Sequence, residues 1–175
     1  MKRHLAAVAL VLGCTFVVAG QAPSVDPKLL AQMKSLFPAA TGFSAKEGDP
    51  RHIKAFTGGP GAGQQLAGFI FFTTEVEPLE RAYDGPIKML VGMDTQGVLT
   101  GVVVIEHHEP YGNISIERPE FPKMFKGKRI RDPFKVGMDV DAVSRATITM
   151  TSATRAIKNS SRRIARTYLS PEAVK

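Results

Sequence analysis

Two short stretches of the 175-residue chain hold residue types that could do chemistry. The first is Asp141-Ala142-Val143-Ser144-Arg145-Ala146-Thr147-Ile148-Thr149, which runs into an amphipathic segment. A small polar loop feeding a helix N-terminus leaves backbone amides free, and these amides with the helix dipole favour an anion. Arg145 adds a fixed positive charge, and Ser144 and Thr149 add hydroxyls. A phosphate placed at Thr147 would therefore be well stabilised. Ser and Thr ahead of a helix are also its ordinary caps, and on residue types alone capping is the simpler account. The second stretch is Glu106-His107-His108-Glu109, where the β-rich run Val98–Ile105 stops abruptly. Strand-end loops gather function, and histidine is a protonatable side chain. The same four residues also read as an exposed polar strand end. A zinc site is the weaker reading, because neighbours in a strand point to opposite faces.

Other chemistry is excluded or reduced. There is no G-x-S-x-G nucleophile motif and no C-x-x-C-H haem motif. The only cysteine, Cys14, lies in an N-terminal apolar run. Gly58-Gly59-Pro60-Gly61-Ala62-Gly63 neither precedes a Lys-Ser/Thr pair nor completes G-x-G-x-x-G, so it reads as a flexible connection.

The elements that position these residues follow from periodicity. Leu29, Leu30, Met33, Leu36 and Phe37 fall at helical spacing, with Ser24 or Asp26 as cap, Pro27 in the first turn and Pro38 as the stop. His52–Phe56 reads as a short strand, and Leu66–Val76 as a strand buried partly on both faces. Ile87–Met93 and Val98–Ile105 flank Asp94-Thr95-Gln96-Gly97 as a hairpin. Glu120–Phe125 reads as a short helix. Thr149–Leu169 reads as a long helix with Ala153, Ile157, Ile164 and Tyr168 as its apolar stripe, closed by Pro171. The expected class is α+β: an antiparallel sheet packed with an N-terminal helix and a long C-terminal helix.

The N-terminus reads as targeting. Lys2-Arg3-His4 is basic, Leu5–Val18 is nearly unbroken apolar sequence, and Val18-Ala19-Gly20 offers small residues for cleavage. Residues 1–22 are expected to be an export signal or an N-terminal anchor, and residues 23–175 one domain. Lys and Arg outnumber Asp and Glu by 23 to 16, and Lys2 and Arg3 contribute two of the seven net positive charges. The rest of the excess gathers at Arg155, Lys158, Arg162, Arg163 and Arg166. That reads as a solvated helix face, or as a surface for an acidic partner or anionic headgroups. No basic stripe interleaves with aromatics, so nucleic acid is not an expected partner.

Asp141-x-x-Ser144-x-Ala146-Thr147 resembles the flavinylation signature of the FMN-binding domain family. That family occurs in the sodium-pumping NADH:quinone oxidoreductase, the Rnf electron-transport complex and NosR-type proteins of nitrous oxide respiration. Tyr83–Ile87 through Leu90–Asp94 resembles its central strand, Gly97–Glu109 its second strand and histidine-acid loop, and Phe125–Lys128 a short downstream element. Leu36–Ala40 and the His-His-Glu-Pro wording are similar to the NosR-like branch, and the likeness runs from about Leu36 to Leu169. The resemblance implies FMN joined by a phosphoester to Thr147, installed by a flavin transferase that uses FAD. It implies that Asp141 and Ser144 shape the attachment loop or are read by the transferase, that Arg145 with the helix amides holds the remaining phosphate charge, and that Ala146 belongs to the cofactor-binding signature. It places Glu106, His107, His108 and Glu109 beside the flavin, where a protonatable histidine would offset charge on the reduced ring. The implied protein is a periplasmic or otherwise extracytoplasmic, membrane-associated electron carrier rather than an enzyme. Its partners would be redox proteins, membrane-bound ones and cytochromes among them. Two departures stand out: many members have Gly where Arg145 stands, and Tyr111-Gly112-Asn113-Ile114 lacks the Pro-Gly-x-Gly loop of the ion-pumping members. A non-redox regulatory or maturation module on the same fold is the alternative, and a small flavin reductase a third reading.

Overall fold

The computed structural model describes residues 26–174 apart from 60 and 62. The expected export signal or anchor, Cys14 and the candidate cap Ser24 lie outside the described residues. Helix α1 spans Pro27–Leu36. Asp26 caps it by accepting the Lys28 amide at 3.0 Å, and Pro27 fills the first turn, where a missing N–H costs nothing. Met33 and Leu36 are buried, whereas Leu30 is exposed and stands off the buried stripe.

Five strands follow: β1 (Gly42–Phe43), β2 (Ile53–Thr57), β3 (Gln65–Phe72), β4 (Lys88–Asp94) and β5 (Leu99–Glu106). They form one antiparallel sheet in sequence order. The β4–β5 turn is set by Asp94, whose Oδ1 accepts the amides of Gln96 (2.8 Å) and Val98 (2.9 Å). Gly97 takes the positive φ (73°) that the turn needs.

The expected strand Leu66–Val76 ends early. Pairing with β4 runs out at Phe72↔Leu90, and Thr73–Val76 coils into a helical turn, α2. Thr73 gives the reason. Its hydroxyl accepts the Met89 amide (3.0 Å) and donates to the Ile87 carbonyl (3.0 Å), so a side chain takes the place of the next backbone partner. Beyond β5 come a 3-10 turn (Gly112–Ile114), the one-turn helix α3 (Glu120–Lys123), the long helix α4 (Thr147–Tyr168) and a final turn, α5 (Pro171–Val174).

Alternating residues of β3 serve opposite faces, as a pleated strand requires. Phe69 and Phe71 join Met89, Val91 and Met93 of β4 in a core closed by Met150, Ala153, Ile157 and Ile164 of α4 and by Phe121 and Phe125. Ile70, Phe72 and Leu90 face the other way, onto Met33, Leu36 and Phe37. The result is α+β with a sheet between an N-terminal and a long C-terminal helix, and burial on both faces of β3. Each fully buried Phe, Met or Ile contributes about 2 kcal/mol.

Helix α4 is fastened by charge as well as by its apolar stripe. Glu80, between α2 and β4, accepts from Arg155 Nε (2.7 Å) and Nη2 (2.6 Å) and from Ser152 Oγ (2.9 Å). The Arg155 hydrogen bond, helped by Ser152, outweighs burial and holds the Glu80 carboxyl below its ordinary 4.5. A value lowered on folding stabilises the fold above the unfolded value and is lost as pH falls through the folded one. Melting temperatures followed from about pH 6 to about pH 3 should therefore fall below pH 4.5 less steeply in Glu80→Gln than in the wild type. Equal slopes would remove this pair from the acid response.

Arg162 Nε and Nη2 donate to the carbonyls of Ile130 (2.8 Å) and Asp132 (3.0 Å), and Arg163 Nη1 to that of Val76 (2.9 Å). Three of the five basic residues expected on a free helix face thus bind the protein's own acceptors. They staple α4 to α2 and to the loops beside it.

Candidate functional site

The N-terminus of α4 is where the candidate residues come together. The helix starts at Thr147, two residues before the sequence pattern places it. Its cap position is Ala146, which has no side chain to cap with, so neither Ser144 nor Thr147 acts as a cap. Ala146 is buried; Thr147 is exposed in the first helical position, with its hydroxyl free of any hydrogen bond to the described residues. The first amides of a helix have no partner within it. Arg145 is exposed, makes no ion pair among the described residues, and sits at φ 71°.

That left-handed conformation suits glycine and strains an arginine by about 1 kcal/mol. Arg145→Gly is expected to stabilise the fold by about 1 kcal/mol in urea unfolding, and no gain would show that the loop absorbs the strain elsewhere.

Glu109 is the hub of the site. It is buried, 6% exposed, and its carboxylate accepts the Tyr83 amide (3.3 Å), the Asp84 amide (2.8 Å) and the Thr149 hydroxyl. One carboxylate therefore joins the loop before β4, its own loop after β5 and the first turn of α4. Thr149 is consumed by this contact, so its hydroxyl does not face an anion at Thr147. The three segments enclose a cleft of about 250 Å³ lined by Tyr83, Tyr111, Arg145, Ala146, Thr147, Ile148 and Thr149.

His107 belongs to a different cleft. Its Nδ1 accepts the Glu109 amide at 3.1 Å, and its Nε2 lies 3.2 Å from Glu117 Oε1. An accepting Nδ1 puts the ring proton on Nε2, facing Glu117, by the logic of the hydrogen-bond network. The ring packs where a Cβ on Gly112 would lie 2.3 Å from its Cε1, so a side chain at 112 would displace the imidazole. With Glu117, His107 lines a cleft along the outer side of β5. Glu106 and His108 are exposed and line neither cleft; Asp141 and Ser144 are exposed on the approach to Arg145 and also stand outside the Thr147 cleft. Of the four-residue strand-end group, only Glu109 reaches the first turn of α4. Among the described residues, no three His, Cys, Asp or Glu side chains gather as a metal site would need.

Sequence reasoning did not single out Tyr111, Ile148 or the contact between Glu109 and Thr149. The signal for Tyr111 was its place two residues after Glu109, in the stretch that lacks the loop of the ion-pumping members. Nothing local announces the link to Thr149, which spans 40 residues.

The donor set suits a phosphate ester: an exposed hydroxyl, unpartnered helix amides and an unpaired guanidinium. The two exposed phenol rings suit a flat aromatic ring. A cleft of about 250 Å³ is below the roughly 300–1,000 Å³ of pockets that engulf a drug-sized ligand.

Residues 82–161 match the FMN-binding domain family. Over 130 residues the chain is 31% identical to the Regulatory protein NosR of Stutzerimonas stutzeri, covering 68% of this chain and 17% of that protein. It is 34% identical over 86 residues to a subunit of the ion-translocating oxidoreductase complex of Erwinia tasmaniensis, covering 43% of this chain and 41% of the relative. The corresponding protein of Escherichia coli K12 is 35% identical over 86 residues, covering 43% and 42%. The chain thus spans under a fifth of the NosR protein and about two fifths of the oxidoreductase subunits. No described helix is long and apolar enough to cross a membrane. Tyr83, Glu109, Tyr111 and Thr147 all fall within the matched stretch, and residues 82–161 of this chain are an FMN-binding domain.

Proposed function

We propose that this chain is an extracytoplasmic electron-transfer module that carries FMN as a phosphoester on Thr147. The observation that carries the reading is the exposed Thr147 hydroxyl at an uncapped helix start, beside an unpaired Arg145, inside the FMN-binding match. FMN, once bound, supplies one- and two-electron chemistry. The chain's own residues do the rest. Thr147 Oγ1 contributes one ester oxygen, and the diester keeps one negative charge, which Arg145 and the first amides of α4 offset. The flavin transferase would form that ester from FAD, with AMP as the leaving group. Asp141 and Ser144, exposed ahead of the helix, are placed to be read by that transferase.

The cleft supports a carrier better than a substrate-turning enzyme. A ring with an exposed edge would pass electrons directly to a docked protein. A covalent tether also suits a cleft too small to retain its ligand by burial alone. Redox proteins are the partners this implies. One group of relatives is named for regulation and the other for an ion-translocating oxidoreductase complex, and both namings agree with a module that serves a larger assembly.

The test is the intact mass of the protein produced with a flavin transferase, followed by peptide mapping. A gain of one FMN less one water, on the peptide holding Thr147, is the expected result. An unmodified protein under those conditions would favour the non-redox regulatory or maturation module, with Thr147 as an unadorned first-turn residue.

A further inference from the structure

We infer that Tyr83 and Tyr111 are the aromatic walls against which the flavin ring rests, and that they quench its fluorescence. The inference rests on the reading of Thr147 as the attachment point and names the protein groups that hold the ring.

Large apolar side chains are expensive to leave in water, and where they cluster at a surface they mark a contact site. Among the described residues seven such side chains are notably exposed, and three of them, Tyr83 (70%), Tyr111 (47%) and Ile148 (58%), line the one cleft that also holds Thr147. Neither phenol hydroxyl makes a hydrogen bond to the described residues, so no internal contact accounts for where the rings stand. Their backbones are nevertheless fixed. The Tyr83 amide is bound by Glu109, and the Tyr111 carbonyl accepts the Ser115 hydroxyl at 2.7 Å. The next residue, Gly112, donates its amide to the Glu109 carbonyl at 3.1 Å. Glu109 also holds Thr149, two residues beyond Thr147. The Tyr83 wall and the helix start are thus tied to the Glu109 carboxylate, and the Tyr111 wall follows through the Glu109 carbonyl and Ser115, which makes the cleft a built feature.

Flat aromatic rings in offset or edge contact attract each other beyond the area they bury. Tyr111 lies in the stretch that lacks the Pro-Gly-x-Gly loop of the ion-pumping members. A phenol touching an excited flavin gives up an electron and takes it back, so light emission is lost without net chemistry.

The experiment uses the full chain loaded with FMN by a flavin transferase, each sample first verified by intact mass. Emission yield and lifetime are compared with free FMN for the wild type, Tyr83→Phe, Tyr111→Phe and the double variant. Phenylalanine keeps the ring and its packing but is a poor electron donor, so folding should be unaffected, as circular dichroism can verify. The expected result is emission several-fold below free FMN in the wild type, partial recovery in each single variant and fuller recovery in the double. Loaded wild type as bright as free FMN overturns the inference alone, as does a double variant as dark as the wild type. A chain that takes up no FMN overturns this inference and the attachment reading together, and the mass distinguishes the two cases.

Discussion

Glu109→Ala is expected to lower stability by about 3 kcal/mol and to open the Thr147 cleft. The carboxylate satisfies three donors at once: the Tyr83 and Asp84 amides and the Thr149 hydroxyl. Truncation leaves all three near a cavity, and a buried donor without a partner costs about 1–3 kcal/mol. Part of that is recovered where water reaches the exposed side of the cleft, so the total falls below the sum. Glu109→Gln should cost less, about 1–2 kcal/mol, since its amide oxygen still accepts while its NH2 group faces a donor. Urea unfolding of the two variants beside the wild type measures this. If Glu109→Ala unfolds within about 0.5 kcal/mol of the wild type, Glu109 does not tie the three segments together.

Thr147→Ala is the second large effect, and its signature is the opposite one. Flavin attachment should vanish while stability stays within about 0.5 kcal/mol of the wild type. Thr147 is exposed, caps nothing and makes no side-chain hydrogen bond to the described residues, and alanine is the better helix former. Thr147→Ser restores a hydroxyl at the same helical position and should recover attachment at least in part. In-gel flavin fluorescence after denaturation reads all three proteins. Covalent flavin persisting in Thr147→Ala would move the attachment to another hydroxyl.

These two residues were not equally visible in the sequence. Thr147 was reached through the wording of its neighbours, because the residue pattern alone favoured a cap. The cap expectation failed for a definite reason: the helix starts at Thr147 itself, after Ala146, and a start without a capping side chain leaves no mark in a pattern built on Ser, Thr, Asp and Asn. Glu109 was legible as part of an acidic and basic strand end, but its separation from His107 was not. Which of two neighbours turns inward depends on where β5 stops and on the space that Gly112 leaves for the imidazole.

The fold shows the same division. Helix α1 could be read between Asp26 and Pro38, and the β4–β5 hairpin around Asp94 and Gly97, because their stop and turn signals are local. The inward stripe of α4 followed from its period, with Ala153, Ile157 and Ile164 buried and Tyr168 half-buried. The overrun of β3 into α2 came from Thr73, whose bonds to Ile87 and Met89 are tertiary. The expected solvated basic face of α4 met the same limit, since the acceptors for Arg155, Arg162 and Arg163 come from segments remote in sequence.

The Glu109 contacts have a consequence for solvent access to the backbone. The Tyr83 and Asp84 amides are held by a side chain 26 and 25 residues away, and that side chain is held in turn from 40 residues further on. Neither amide belongs to a sheet ladder or a helix, so local fraying of β4 does not release it. Their hydrogen exchange should report whether α4 is docked, and should slow or quicken together with that of the first buried turn of α4.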